Sequence, residues 1–391
     1  MKYIEEFRDQ ALAQGLARAI AAEVRPERHY HLMEFCGGHT HAVFRYGVAD
    51  LMPPNLKFIH GPGCPVCVLP VARIDQALAL VRKHDPILCT YADLMRVPAS
   101  KRDSLQKLKA EGGDVRMVYS SQDALRIADQ HPDRQVVFFA IGFETTTPPT
   151  AVALRQARAL GLENFSVFCN HVLTPAAIRH LLEQPTEDGD SAPRIDGIIG
   201  PAHVSTIIGS QPYEFCARDY GQPVVIAGFE PLDLMQAALM LVRQVNEGRH
   251  QVENEYTRAV TPEGNTKAQW LVQEVFELRD TFEWRGLGFV KDSALGIRPE
   301  FAELDAERRF SMPLKAGADV KGCECPAILR GVKGPMDCKL FGQVCTPENP
   351  MGACMVSSEG ACAAYWSYGR FRGEGAAIPN PATSSLTGAN P

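Results

Sequence analysis

Apolar residues are distributed along this chain in two textures. From about residue 30 to residue 230, short runs that are apolar almost throughout end in Gly- or Cys-rich turns, and stretches with helical spacing follow them. The runs are His31 to Phe35, Leu56 to His60, Pro86 to Cys89, Val115 to Tyr119, Val136 to Ile141, Phe165 to Cys169, Ile195 to Ile199 and Pro223 to Ala227. Runs such as VVFFAIG and PVVIAG do not alternate, which fits strands buried on both faces of a parallel sheet. Between them, Val71, Ile74, Leu78 and Val81 make one helical stripe. Thr147-Pro148 and Thr174-Pro175 have the cap-plus-proline form of a helix start, and PLDLMQAALMLVRQVNEG begins at Pro231 and stops at Gly248. The pattern predicts an α/β fold.

The two ends read differently. Ile4, Phe7, Leu12, Leu16 and Ile20 predict one or two amphipathic helices over residues 3–24, a cover for the rest. NTKAQWLVQEVFELRD reads as a helix with Trp270, Leu271, Val275 and Leu278 on one side, and EWRGLGFVKDSALGIRPEF as a turn-rich lead into a cysteine segment. After Arg372 the composition is that of disorder.

The α/β region repeats loosely. FIHGPGCP (58–65) resembles GIIGPAHV (197–204), a second strand follows each, and Phe35-Cys36 with His39 parallels Phe168-Cys169 with His171. The repeats predict two similar parallel-sheet α/β domains facing a cleft, lined by turns beyond the carboxyl ends of the strands. The expected division is N-terminal helices over 1–29, a first α/β domain over 30–160, a second over 161–248, a C-terminal domain over 249–372 and a tail over 373–391.

At 391 residues the chain exceeds one ordinary core. A formal net charge of −6 with 45% hydrophobic residues is that of a soluble globular protein and implies no nucleic-acid partner. The opening MKYIEEFRDQALAQGLARAI mixes charges and lacks a long apolar core, so neither a signal peptide nor a membrane span is expected. The expected compartment is the cytoplasm, where twelve cysteines point to metal ligation or redox chemistry rather than structural disulfides.

Cys64-Pro65-Val66-Cys67 follows a Gly-Pro-Gly turn and precedes a helix, a placement that lowers a thiol pKa and suits redox cycling or metal binding. Cys36-Gly37-Gly38-His39-Thr40-His41 sets a soft sulfur and imidazoles beside a backbone that can approach a ligand closely. His203, in GPAHVS, occupies the counterpart of the Cys-x-x-Cys turn and is a candidate ligand or proton carrier. Glu144 is expected at a strand's carboxyl end, and Cys89, Cys169 and Cys216 in the core. Cys325, Cys338, Cys345 and Cys362 lie in a Gly- and Pro-rich segment that cannot bury a core of its own. Their wide spacing lacks the short pairs of zinc sites and suits an iron–sulfur cluster. Cys323 and Cys354 leave the choice of four open on chemistry alone.

Together, CGGHTHA (36–42), GPGCPVC (61–67), GFETTTP (142–148), GPAHVS (200–205), AGFEPLDL (227–234), EWRGLG (283–288) and MVSSEGACAA (355–364) closely resemble the HypD family of hydrogenase maturation proteins, from about residue 30 to residue 370. The resemblance implies two similar α/β domains and a third domain carrying a [4Fe-4S] cluster. Its C-x12-C-x6-C-x16-C pattern falls on Cys325, Cys338, Cys345 and Cys362, leaving Cys323 and Cys354 aside. It further implies assembly of the Fe(CN)2CO unit of [NiFe]-hydrogenases with the small chaperone HypC, cyanide from HypE, and transient contact with the machinery that matures the hydrogenase large subunit. Cys36, Cys64 and Cys67 would form the iron and redox site, supported by His39, His203 and Glu359. Two other readings stand beside it: an iron–sulfur disulfide reductase acting alone on a protein substrate, and a zinc-stabilised binding module.

Overall fold

Eleven strands and their connecting helices appear in the computed structural model, which describes residues 5–184, 194–313 and 317–370. The strands are β1 (Tyr30–Glu34), β2 (Leu56–His60), β3 (Ile87–Thr90), β4 (Val115–Met117), β5 (Val136–Gly142), β6 (Phe165–His171), β7 (Gly197–Pro201), β8 (Val224–Ala227), β9 (Val252–Asn254), β10 (Phe276–Trp284) and β11 (Gly288–Ile297). The first eight fall on the eight apolar runs. β5 and β6 are buried at every position, as strands covered on both faces must be.

Two parallel sheets result. One has the order β2-β1-β7-β8-β9 and the other β4-β3-β5-β6. In the first, Leu32 of β1 lies opposite Phe58 on one side and Gly197 on the other. The α/β class with parallel sheets agrees with the apolar runs, but the consecutive division at residue 160 does not hold. Strands from 30–60 pair with strands from 197–254, while the second sheet is built from 87–171. The repeat motifs do not fall one to each sheet either: GPGCP and GPAHV both end strands of the first sheet. The physical reason is that β1 has two edges. β2 takes one, and the other stays open until β7 arrives.

Each face of each sheet has its own core. The helix Pro231–Glu247 packs on the first sheet through Leu234, Ala238 and Leu241 and ends at Gly248 in the left-handed conformation (φ 65°). The helix Gln10–Glu23 covers it with Ala17 and Ile20, whereas Leu12 is exposed; Ile4 lies outside the described residues. The helix Val71–His84 buries Val71, Ile74, Leu78 and Val81. Thr147 and Thr174 are the first residues of their helices rather than caps, with proline in the first turn. Cys89, Cys169 and Cys216 are fully buried in the core.

The segment from 266 to 297 departs from expectation. The helix stops at Val275, and Phe276 begins a long antiparallel hairpin, β10–β11, whose Ser293 and Ala294 meet Leu173 and Val172 just beyond the end of β6. Trp270 is 75% exposed and Leu278 57%, so the supposed apolar side is not a buried one. β10 alternates only loosely, with Phe276, Phe282 and Trp284 inward, and that irregularity hides it. The expected tail over 373–391 lies outside the described residues. Among the described residues no helix is long and apolar enough to cross a membrane.

Candidate functional site

Four motifs end four adjacent strands of one sheet. In spatial order these are GPGCPVC after β2, CGGHTHA after β1, GPAHVS after β7 and AGFEPLDL after β8. Parallel strands put all four turns at one edge, and the connections reverse direction between β1 and β7. Such a switch point leaves a crevice beyond the carboxyl ends where a ligand can sit. Cys36 follows β1 and His203 follows β7, so the two flank that point. The Cys36 sulfur is 3.6 Å from Nδ1 of His203.

Close backbone approach joins Cys36 to the Cys-x-x-Cys turn. Gly37 N–H donates to the Gly63 carbonyl at 2.9 Å, and a Cβ on Gly63 would come within 2.4 Å of the Cys36 nitrogen. Only glycine fits there. Cys64 caps the short helix Pro65–Val68 and is disulfide-bonded to Cys67, with Cα atoms 5.2 Å apart. Gly37, Thr40, His60, Cys64, Cys67 and Glu359 line a crevice of about 10 Å3, room for a single water-sized molecule.

Burial sets the protonation of this site. The Cys36 thiol is pushed well above the ordinary cysteine range by burial and by the Glu359 carboxylate. Burial lowers His203, so its imidazole is neutral and its Nδ1 can accept the Cys36 S–H. Phe229 lies against the His203 ring with centroids 4.0 Å apart. Glu359 is raised by burial and by Asp93 and Glu34, and it packs so tightly on Gly37 that a Cβ there would meet its own Cβ at 2.4 Å. His39 plays a different part from the one its motif suggests. Its Nε2 bonds the Ala227 carbonyl at 2.9 Å and burial lowers its pKa to about 4, so it ties the Cys36 turn to the end of β8.

Glu34 at this edge escapes the sequence reading. Glu34, fully buried at the end of β1, accepts from the Cys36 N–H at 3.1 Å, from His60 Nδ1 at 2.9 Å and from the Thr40 hydroxyl. One carboxylate thereby holds the Cys36 turn, the following helix and β2 together. Its signal was present: a charged residue inside the apolar run HLMEF must have partners. Glu144 lies beyond β5 as expected, but it accepts from the N–H and hydroxyl of Thr174.

The C-terminal segment brings six cysteines together. The Cys325 thiol hydrogen-bonds with Cys323, Cys354 and Cys362, and Cys362 is also electrostatically close to Cys338. Cys345 is pushed up to about 11 by burial, with Cys362 and Cys323 adding to the effect. A Cβ on Gly352 would lie 2.4 Å from the Cys325 sulfur and 2.5 Å from that of Cys323. Among the described residues no group of three or more side chains is arranged as a ready metal site. The donors are all sulfur, closely packed and, apart from half-buried Cys323, buried, which is the chemistry an iron–sulfur cluster takes. Cys323 and Cys354 share this nest with Cys325, Cys338, Cys345 and Cys362. The nest reaches the Cys64–Cys67 disulfide: Cys67 Sγ is 3.9 Å from the carbonyl of Ala353, next to Cys354.

The HypD family model, described as "Hydrogenase formation hypA family", matches residues 11–369. The hydrogenase maturation factor HypD of Rhizobium leguminosarum bv. viciae is 65% identical over 372 residues, covering 95% of this chain and 97% of the relative. That of Cupriavidus necator is also 65% identical, covering 95% and 98%. That of Escherichia coli (strain K12) is 45% identical over 373 residues, covering 94% and 98%. With identity at these levels over nearly the whole of each chain, this protein belongs to the HypD family of hydrogenase maturation factors.

Proposed function

We propose that the chain is the scaffold on which the Fe(CN)2CO unit of a [NiFe]-hydrogenase is assembled, in complex with a HypC-type small chaperone and supplied by a HypE-type cyanide donor. The observation that carries this is the approach of Cys36 to His203 at the switch point of the sheet, beside the Cys64–Cys67 turn. The iron is cargo. Cys36 and a thiolate of the Cys64/Cys67 pair hold it, because soft, electron-rich sulfur suits an iron that carries cyanide and carbon monoxide. Neutral His203 takes the proton from Cys36 as that thiol becomes a thiolate, and Phe229 holds the imidazole in place. Thr40, His60 and Glu359 line the crevice and exclude all but a small ligand.

Freeing the Cys64 and Cys67 sulfurs breaks one S–S bond and takes two electrons, with two protons if both emerge as thiols. Four of the six C-terminal cysteines, assigned by the family pattern to Cys325, Cys338, Cys345 and Cys362, would hold a [4Fe-4S] cluster, which would supply electrons singly. Gly352 leaves room for the Cys325 sulfur, and the stretch at Ala353 lies against Cys67.

Infrared spectroscopy of the chain purified anaerobically with its small partner tests this reading. Cyanide and carbonyl stretches that vanish in Cys36→Ala are expected. The disulfide favours a second reading, a reductase acting on a protein substrate, in which case no such stretches accompany a coloured, redox-active protein.

A further inference from the structure

The loop between Cys345 and Cys354 forms one wall of a surface groove of about 350 Å3, and the segment from Arg96 to Ala110 forms the other. Arg96, Arg102 and Lys107 line it, Lys101 stands beside it, and all four are exposed. Their hydrogen-bond partners are neutral. Arg96 donates to the Pro347 carbonyl, Arg102 to Asn349 Oδ1 at 2.7 Å and Lys107 to the Arg102 carbonyl at 2.6 Å. The nearby acids are engaged elsewhere: Asp103 and Glu111 both pair with Arg82 at 2.9 Å. Glu348 is the one other carboxylate on the lining. A chain with a net charge of −6 thus carries a cationic strip at this place. Lys101 and Arg102 hold successive left-handed conformations (φ 58° and 60°), uncommon for residues other than glycine and found more often where a surface has a task.

The place matters as much as the charge. Pro347 is two residues from Cys345, at most about 7 Å of extended chain, and the Met351 N–H donates to the Cys345 sulfur at 3.4 Å. The loop that walls the groove outside is therefore the loop that wraps a buried cysteine of the sulfur nest inside. We propose that this groove docks an acidic one-electron carrier protein, so that electrons enter at the Cys345 loop. Each encounter oxidises the carrier by one electron, and two encounters match the two electrons that open the Cys64–Cys67 bond, the protons coming from solvent. The proposal rests on the cluster reading above, but the surface can be tested separately from it.

The probe is a small acidic [2Fe–2S] ferredoxin carrying a fluorescent label, titrated with the full chain and followed by anisotropy over a range of sodium chloride concentrations. Binding should weaken steeply with salt, since the contact is between exposed charges. Lys101→Glu together with Lys107→Glu should weaken it about tenfold at low salt, and Glu348→Lys should tighten it several-fold. Neither change replaces Arg96 or Arg102, whose side chains tie the two walls together. In the brown holoprotein, the rate of cluster reduction by reduced ferredoxin should fall in parallel, while reduction by dithionite stays the same. Unaltered affinity and salt dependence in the double variant overturn the proposal. So does displacement of the probe by inorganic phosphate beyond the effect of chloride at equal ionic strength, which would mark a small-anion site. A colourless chain that still binds ferredoxin through these lysines would sink the cluster reading and leave the surface standing.

Discussion

The sulfur of Cys36 and Nδ1 of His203 stand 3.6 Å apart although 167 positions separate them in the chain. Burial favours the neutral imidazole and the protonated thiol, so the proton would pass to His203 only as a metal takes up the sulfur. Replacing His203 by Ala should leave the fold intact and slow iron loading onto Cys36 by roughly 10²-fold, the usual range for losing a placed base. Loading followed by the infrared bands against pH should show the variant recovering as the pH rises, because the buried thiol must then lose its proton to solvent base. A variant that loads at the parent rate at neutral pH would remove His203 from this role.

Glu34 serves three donors at once. Glu34→Ala leaves the His60 N–H, the Thr40 hydroxyl and the Cys36 N–H, all on buried residues, without their acceptor. The expected loss of stability is on the order of 3 kcal/mol, read as a lower denaturant midpoint. Glu34→Gln should recover part of it.

Gly352 is a steric test of the sulfur nest. A methyl group there would meet the sulfurs of Cys325 and Cys323, so Gly352→Ala should lose the broad visible absorption of the anaerobically purified protein while far-ultraviolet circular dichroism is retained. A protein as brown as the parent would show that those sulfurs are not fixed at this spot.

Six cysteines and a four-cysteine pattern make a further prediction. Single replacements of Cys325, Cys338, Cys345 and Cys362 by Ala should each bleach the protein, and those of Cys323 and Cys354 should not. Iron analysis and absorption of the six variants decide it. Bleaching by Cys323→Ala with colour retained in Cys325→Ala would move the ligand two residues along the chain.

Burial raises Glu144 from 4.5 to about 7. The folded state therefore favours the protonated acid. Its contribution is fully present below about pH 4.5, declines as the pH rises, and is gone above about pH 7. The span corresponds to roughly 3 kcal/mol at most. Urea midpoints of the parent and Glu144→Gln at pH 5 and pH 8 should show that the parent loses more stability between the two pH values than the variant does.

The first eight strands were legible through their apolar runs, most openly β5 and β6, which are buried on both faces. Cys36, Cys64, Cys67 and His203 were legible as chemistry through their motifs. The pairing of strands was not: nothing local in YHLME states that its neighbours are Leu56–His60 and Gly197–Pro201, since pairing is fixed by which edges remain open after the chain has crossed over. The β10–β11 hairpin was missed because FELRDTFEW continues a helical-looking stretch and its two faces are unevenly buried. The motif sets His39 near the sulfur, but the Ala227 carbonyl that it bonds lies 188 positions along the chain.

The order of strands also sets an order of events. The sheet formed from residues 87–171 draws on one continuous stretch and can close while the chain is still being made. β1 and β2, made first, must wait for β7 and β8 before the edge bearing Cys36 and His203 exists. Until then a long internal excursion remains unclosed and an unpaired strand flank is open to wrong partners. Premature termination before Gly197 would therefore leave the strands of one sheet and no edge at which Cys36 meets His203, a nascent chain that looks half folded yet lacks that pair.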